Sequence, residues 1–286
     1  MREMTRRPSW LNKKVRLGDC AKMDRLLTEL RLHTVCEEAA CPNRSECFAK
    51  GTATFMILGN ACTRNCLFCN LMRARPSPID WDEPERISRA VHRLGLKHVV
   101  ITSVTRDDLE DGGASVFAET IEAVRKMTPH VMIEVLIPDL QGDLCSIEKV
   151  VAAGPDIIGH NVDTVSRLYR LVRPEANFRR SLDVLRIADS LRKSRTFYTK
   201  SGLMVGLGET QDEVLALFQA LRGVGCDFVS VGQYLAPSRK HYPVAEYVSP
   251  HVFSLYRKRA QEAGFLHAEC APYVRSSYRA AEYCPV

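Results

Sequence analysis

Thr54-Phe-Met-Ile-Leu58 runs into Gly59-Asn-Ala-Cys62-Thr-Arg-Asn-Cys66-Leu-Phe-Cys69. The first five residues are an apolar run of strand length, and a loop with three cysteines spaced C-x3-C-x2-C follows at once. An apolar run this short suits a strand buried on both faces. Downstream the chain keeps alternating. Residues 98–102, 131–137, 156–159, 196–205 and 228–231 read as further strands. Between them, 83–94, 114–127, 144–151, 178–191, 213–224 and 251–263 carry apolar residues at helical spacing. Ile87, Val91 and Leu94 mark one such face, and Gly95 stops it. Strands alternating with helices imply a parallel sheet with right-handed crossovers. The expected fold class is α/β, a partial (β/α)6 barrel over residues 52–264. An N-terminal extension (1–51) and a C-terminal extension (265–286) are expected to cover the barrel mouth. Chemistry in such folds sits at the carboxyl ends of the strands, which is where the three cysteines fall.

Cysteine usage points the same way. The 286-residue chain has 11 cysteines, an odd number, and six lie between Cys36 and Cys69. With no export signal, that clustering favours metal or catalytic chemistry over disulfides. Cys62, Cys66 and Cys69 can hold three irons of a cubane cluster and leave the fourth open to a reactive ligand. A structural zinc site is the competing reading, although zinc normally takes four ligands, often as two C-x2-C pairs. Cys36, Cys41 and Cys47 form a second triplet, C-x4-C-x5-C. Pro42, Asn43 and Ser45 favour turns that let its thiols converge. A second cluster, a redox knuckle or a zinc knuckle are its readings. Cys145 and Cys226 are expected to be buried small hydrophobes. Cys20, Cys270 and Cys284 carry no assigned chemistry.

Composition excludes other classes. Hydrophobic residues are 45% and charged residues 26%, as in globular proteins. No apolar run approaches the roughly 18 residues of a membrane span. The net charge of +6 is partly local, because Arg2, Arg6, Arg7, Lys13, Lys14 and Arg16 face Glu3 alone. This basic stretch reads as a solvated arm or a docking arm for an acidic partner. Nucleic-acid binding is not expected, since no recognition pattern accompanies it. Thiol usage and the missing export signal point to the cytoplasm.

Placed after the first strand of a partial barrel, C-x3-C-x2-C resembles the radical S-adenosylmethionine superfamily. With the upstream triplet, the chain is similar to the lipoyl synthase family within it. Further stretches carry the resemblance: Thr52-Ala-Thr-Phe-Met-Ile-Leu-Gly-Asn60, Val100-Ile-Thr-Ser-Val104, Arg106-Asp-Asp-Leu109, Asp111-Gly-Gly-Ala114 and Glu134-Val-Leu-Ile-Pro-Asp139. Gly159-His-Asn161, Val172-Arg-Pro174, the run from Thr199 to Thr210, Gly232-Gln-Tyr-Leu235 and Arg275-Ser-Ser-Tyr278 continue it. Asn70 to Pro76 and Thr105 depart from the family pattern, away from any expected ligand.

The resemblance implies two 4Fe–4S clusters and S-adenosyl-L-methionine. Cys62, Cys66 and Cys69 would hold the cluster that binds and reductively cleaves S-adenosylmethionine. The resulting 5′-deoxyadenosyl radical would take hydrogen from C6 and then C8 of an octanoyl chain amide-linked to lysine. Cys36, Cys41 and Cys47 would hold an auxiliary cluster that donates both sulfurs. Its fourth ligand would be Ser276 or Ser277, and Ser277 is the one expected. Implied partners are octanoylated lipoyl-carrier domains (2-oxoacid dehydrogenase E2 subunits and the glycine cleavage H protein), a ferredoxin or flavodoxin electron donor, and cluster-assembly proteins. The alternatives are another radical enzyme with an auxiliary cluster, and a non-catalytic iron–sulfur or zinc protein.

Lesser residues follow. Phe68, Thr102, Ser103, Asn161 and Arg173 are expected to contact S-adenosylmethionine, with Arg173 as a bidentate carboxylate partner. Gly206, Gly208 and Glu209 permit close backbone approach near the adenine. Arg106, Asp107, Asp108 and Asp111 read as a solvated or substrate-positioning loop, and His160 and His241 as ordinary hydrogen-bonding histidines.

Overall fold

The computed structural model describes residues 7–12, 20–39, 41–49, 51–194, 196–280 and 283. Arg2, Arg6, Lys13, Lys14, Arg16 and Cys284 lie outside the described residues. Ala21–Leu30 (α1), His33–Thr34 (β1), Val35–Glu38 (α2) and Arg44–Ala49 (α3) come first, followed by the strand Thr52–Ile57 (β2). The cysteine loop contains two short parallel strands, Ala61–Cys62 (β3) and Met72–Arg73 (β4). Next are Glu83–Leu94 (α4), His98–Ser103 (β5), Ala114–Met127 (α5), Met132–Leu136 (β6), Leu144–Ala152 (α6) and Ile157–Gly159 (β7). Tyr169–Val172 (α7), Phe178–Ser190 (α8), Tyr198–Val205 (β8), Gln211–Gly223 (α9), Phe228–Gln233 (β9), Pro250–Glu262 (α10) and His267–Cys270 (β10) complete the order.

One 8-stranded sheet runs β1-β2-β5-β6-β7-β8-β9-β10. β1 is antiparallel to β2, and every later neighbour pair is parallel. The partial barrel is therefore as expected, with two strands more, the antiparallel β1 and the parallel β10. β10 pairs with β9 inside the segment read as the C-terminal extension. His267-Ala-Glu-Cys270 is short and half polar, so no apolar run announced it.

Strand alternation divides the side chains. Val99, Ile101, Ile133, Val135 and Ile158 are buried in one core with Ile87, Val91, Phe117, Ile121, Ile147 and Val150 of the helices. Their neighbours in sequence turn to the inside of the curved sheet, and many are polar. Glu134 there accepts from Lys200 Nζ at 2.8 Å and lies 3.2 Å from His98 Nε2, all three enclosed.

Segments following the two edge strands meet each other: Asn43 Nδ2 donates to Tyr273 O, and Tyr278 OH to Glu46 Oε1 at 2.9 Å. The tail then runs down the inside of the sheet. Gln233 N, at the carboxyl end of β9, donates to Pro272 O. Ser276 Oγ lies 3.1 Å from where a Cβ on Gly202 would stand. Tyr283 packs on Phe228, the first residue of β9, and Lys200 Nζ stands 3.7 Å from its ring centre. The extensions thus meet on the open side of the partial barrel, and the tail runs from the carboxyl end of β9 into its interior. Glycine makes room for them: a Cβ on Gly232 would come 2.0 Å from Val274 O. Cys145 is also a correction. It is exposed at the start of α6, whereas Cys226 is buried as expected.

Candidate active site

Beyond β2 the backbone turns through Leu58 (φ 68) and Gly59 (φ 81). Buried Glu83 holds the turn by accepting from Leu58 N at 2.8 Å. The cysteine loop then crosses the carboxyl ends of several strands and is tied to the loops there. Thr63 N donates to Thr105 O, Leu67 N to Val172 O, and Tyr242 N to Leu67 O. His241 Nε2 lies 3.1 Å from Cys69 O, and His160 Nδ1 lies 2.9 Å from Ile137 O, so both histidines bond to backbone.

Arg64, between Cys62 and Cys66, is the anchor. Its guanidinium bonds Asp107 through Nε and Nη2, both at 2.7 Å, and Asp139 through Nη1 at 2.9 Å and Nη2 at 2.7 Å. Asp139 is fully enclosed, and although burial opposes its charge, Arg64 holds the carboxyl down to about 2. Bidentate pairs of this kind fix position as well as charge.

Cys62, Cys66 and Cys69 are half-buried on this loop. Burial pushes the Cys69 thiol up to about 12, and the neighbouring Cys66 and Cys62 add to the shift. Burial also raises Cys66, against the opposing charge of Arg173. A metal bound here would displace the thiol protons and hold the cysteines as thiolates.

The second triplet gathers elsewhere. Cys36, Cys41 and Cys47 line one small cavity with Asn43, Thr52, Thr54, Arg275, Ser277 and Tyr278. Turns bring the thiols there: Cys41 N donates to Cys36 O at 3.0 Å, and Cys47 N to Asn43 O at 2.9 Å. Cys36 is pushed up to about 12 by burial first and then by Cys41 and Cys47. The two serines part company. Ser277 lines the cavity, whereas Ser276 Oγ accepts from Asn161 Nδ2 at 2.6 Å. Thr52 and Thr54 belong to the start of β2, and the cysteine loop leaves its end. The two thiol groups therefore lie toward opposite ends of one six-residue strand, roughly 16 Å long at about 3.3 Å per residue.

Among the described residues no three His, Cys, Asp or Glu side chains converge as around a single metal ion. A cubane instead takes each ligand at a separate iron. Three thiols on one loop, and three thiols with a hydroxyl around one cavity, are donor sets that fit two such clusters.

The other expected residues divide. Ser103 Oγ is buried without a partner among the described residues. Thr102 Oγ1 instead donates to Leu136 O at 2.8 Å. Phe68 packs against the core formed by the last strands and helices. Arg173 Nη1 pairs with Asp163 at 3.1 Å and donates to Asn161 O and Tyr169 OH, each at 3.1 Å, while its Nε is buried without a partner among the described residues. Glu209 accepts from Gly206 N and Leu207 N, so it braces the glycine turn. Asp107, read as part of a solvated run, holds Arg64, and Asp111 accepts from Gly113 N and Ser115 N at the start of α5. Arg64 and Asp139 were missed because they lie 75 positions apart.

The Radical SAM superfamily model matches residues 56–221, and the model of the N-terminal domain of lipoyl synthase matches residues 1–41. Methylornithine synthase shares the fold at a TM-score of 0.57 and 15% identity, covering 91% of this chain and 79% of that one. SuiB of Streptococcus suis, bound to S-adenosylmethionine, gives 0.56 at 12% identity, over 85% of this chain and 57% of that one. Fold, cysteine loop and family match together define a radical S-adenosylmethionine enzyme. A lipoyl synthase of Geotalea uraniireducens is 57% identical over 98% of both chains. That of Caldicellulosiruptor saccharolyticus is 53% identical over 97% of both. The chain belongs to the lipoyl synthase family, whose enzymes insert sulfur by radical chemistry with 4Fe–4S clusters and S-adenosylmethionine.

Proposed function

We propose that Cys62, Cys66 and Cys69 hold the cluster that meets S-adenosylmethionine, and that Cys36, Cys41, Cys47 and Ser277 hold an auxiliary, sulfur-donating cluster. One observation carries this reading: three cysteines of one extension and Ser277 of the other share a cavity. The hydroxyl is the weakest iron ligand of that set, so the iron it holds is the one most readily released. When bound, the clusters and S-adenosylmethionine supply a radical able to attack an unactivated methylene, and the sulfur that replaces the hydrogen.

The chain's own residues position and shield these groups. Arg64, fixed by Asp107 and Asp139, holds the loop between two ligands. Of the residues expected to contact S-adenosylmethionine, Ser103 offers a buried hydroxyl without a partner among the described residues. Thr102, Asn161, Arg173 and Phe68 shape that site through their neighbours. The tail excludes water from the interior, with Tyr283 enclosed at the far end. The substrate is an octanoyl-lysyl group on a lipoyl-carrier domain, of the 2-oxoacid dehydrogenase E2 subunits or the glycine cleavage H protein. A ferredoxin or flavodoxin supplies electrons, cluster-assembly proteins rebuild the auxiliary cluster, and the enzyme works in the cytoplasm. No helix among the described residues is long and apolar enough to cross a membrane.

The test is anaerobic. Iron-reconstituted protein receives dithionite, S-adenosylmethionine and an octanoyl-lysyl peptide, with products followed by mass spectrometry. Changing Cys62, Cys66 or Cys69 to Ala abolishes 5′-deoxyadenosine formation. Changing Cys36, Cys41 or Cys47 to Ala keeps it but stops thiolation. Thiolated peptide from the latter variants would move the sulfur source elsewhere.

A further inference from the structure

A hollow opens where α8 begins, beside the Gln141–Gly142 segment that follows β6. Arg179, Arg180 and Arg186 line it with a single carboxylate, Asp183. α8 buries Ser181, Val184, Leu185 and Ala188, which leaves these arginines on its outward side. Arg186 pairs with Asp183, whereas Arg179 is exposed with no ion pair among the described residues. Asn177 caps the helix by accepting from Arg180 N, so the positive end of the helix dipole adds to the patch.

The hollow is wired to the cysteine loop. Arg180 Nη1 stands 3.5 Å from Asp139 Oδ2, and Asp139 is the enclosed carboxylate that grips Arg64 between Cys62 and Cys66. The segment leading into α8 also lies against that loop: Val172 O accepts from Leu67 N, and Glu175 accepts from Asn65 N and Arg73. Leu67 and Leu171 are both exposed where these segments meet. An apolar contact beside a charged rim is the anatomy of a protein interface.

We propose that this arginine hollow is the docking site of a small acidic one-electron donor protein, a ferredoxin or flavodoxin, that reduces the Cys62–Cys66–Cys69 cluster. The proposal rests on the function proposed above. Per transfer the donor is oxidised by one electron and the cluster reduced by one, and no atom moves. Tunnelling falls off steeply with distance, so a donor gains by docking against the loop that carries the cluster. A carrier domain has a different requirement. Its octanoyl-lysyl arm must enter the interior between the two thiol groups, whereas these arginines stand on the outward face of α8, at the rim beside the cysteine loop. Basic charge here would steer an acidic donor and make the reaction salt-sensitive, because screening is strong beyond about 8 Å at physiological salt.

The test compares the holoenzyme with the double variant Arg179→Glu/Arg186→Glu and with a control, Arg89→Glu/Lys97→Glu. The control residues are exposed on and just after α4, away from α8. Each protein is driven either by dithionite or by a reduced acidic ferredoxin, with octanoyl-lysyl peptide and then with a whole octanoylated carrier domain. The expected result is a ferredoxin KM raised about tenfold or more in the α8 variant only, with a weaker salt dependence and an unchanged dithionite-driven rate. Ferredoxin-driven turnover equal to that of the control would overturn the proposal. So would a dithionite-driven loss confined to the whole carrier domain, which would make the hollow a carrier site. If the unaltered enzyme thiolates no peptide with dithionite, the functional reading fails first, and the proposal with it.

Discussion

Gly232→Ala isolates the tail from the rest of the machinery. Gly232 lies in β9 without a left-handed φ, so alanine costs nothing in backbone conformation there. The added Cβ, however, would stand 2.0 Å from Val274 O and 3.2 Å from Arg275 Nη1. A carbon and a carbonyl oxygen do not approach within about 3 Å without repulsion, so the tail must retreat by about 1 Å. Ser277 lies three residues further on and faces the cavity of Cys36, Cys41 and Cys47. A displacement of that size at a reacting centre costs on the order of 100-fold in rate. The cysteine loop contacts neither residue in its hydrogen bonds, so 5′-deoxyadenosine formation should stay near the parental rate. The assay is the ratio of thiolated peptide to 5′-deoxyadenosine over a single anaerobic time course. The expected ratio falls by about 100-fold. A parental ratio would refute the claim that the tail seats the auxiliary site. An equal fall in both products would show that Gly232 serves the whole barrel.

Other changes separate the remaining parts. Ser276→Ala removes the partner of Asn161 Nδ2 and should lower stability by about 1 kcal/mol with thiolation retained, whereas Ser277→Ala should lower the iron count and thiolation together. Arg64→Met strips Asp139 of its main partner and leaves it Gln141 N at 3.2 Å and Arg180 at 3.5 Å. Breaking such a buried pair costs about 3 kcal/mol, read as a drop of several degrees in the unfolding midpoint, and an unchanged midpoint would deny Arg64 its anchoring role. Acid should weaken the fold in two stages. His160 is held by burial at about 4 against 6.5, so the unfolded chain takes up its proton first and stability falls between those values, by about 3 kcal/mol in all. His160→Gln should flatten that stage of a urea-unfolding profile against pH. Asp139, at about 2 against 3.8, contributes about 2.5 kcal/mol above 3.8, lost as pH falls toward 2. Arg64→Met should shrink this second stage.

Local pattern carried most of the architecture. Strand–helix alternation depends on runs of a few residues and their period, so β2, β5 to β9 and the helices after them were legible. The cysteine spacing was legible for the same reason, because three thiols within eight positions must share one loop. Tertiary structure decided what depends on long-range contact. β10 is too short and polar to stand out, and it is a strand only because β9 offers an unpaired edge. Asp107 and Asp139 look like loop charges until the fold brings them 43 and 75 positions back to Arg64. The sequence could offer both Ser276 and Ser277, but only packing tells them apart, since Asn161 takes one and the cysteine cavity receives the other. The path of the tail was the least legible feature. Nothing local to Gly202 or Gly232 says that a chain segment more than 40 residues away will fill the space left by their missing side chains. Spacing along the chain fixes which donors exist, whereas burial and closure of the barrel fix which of them meet.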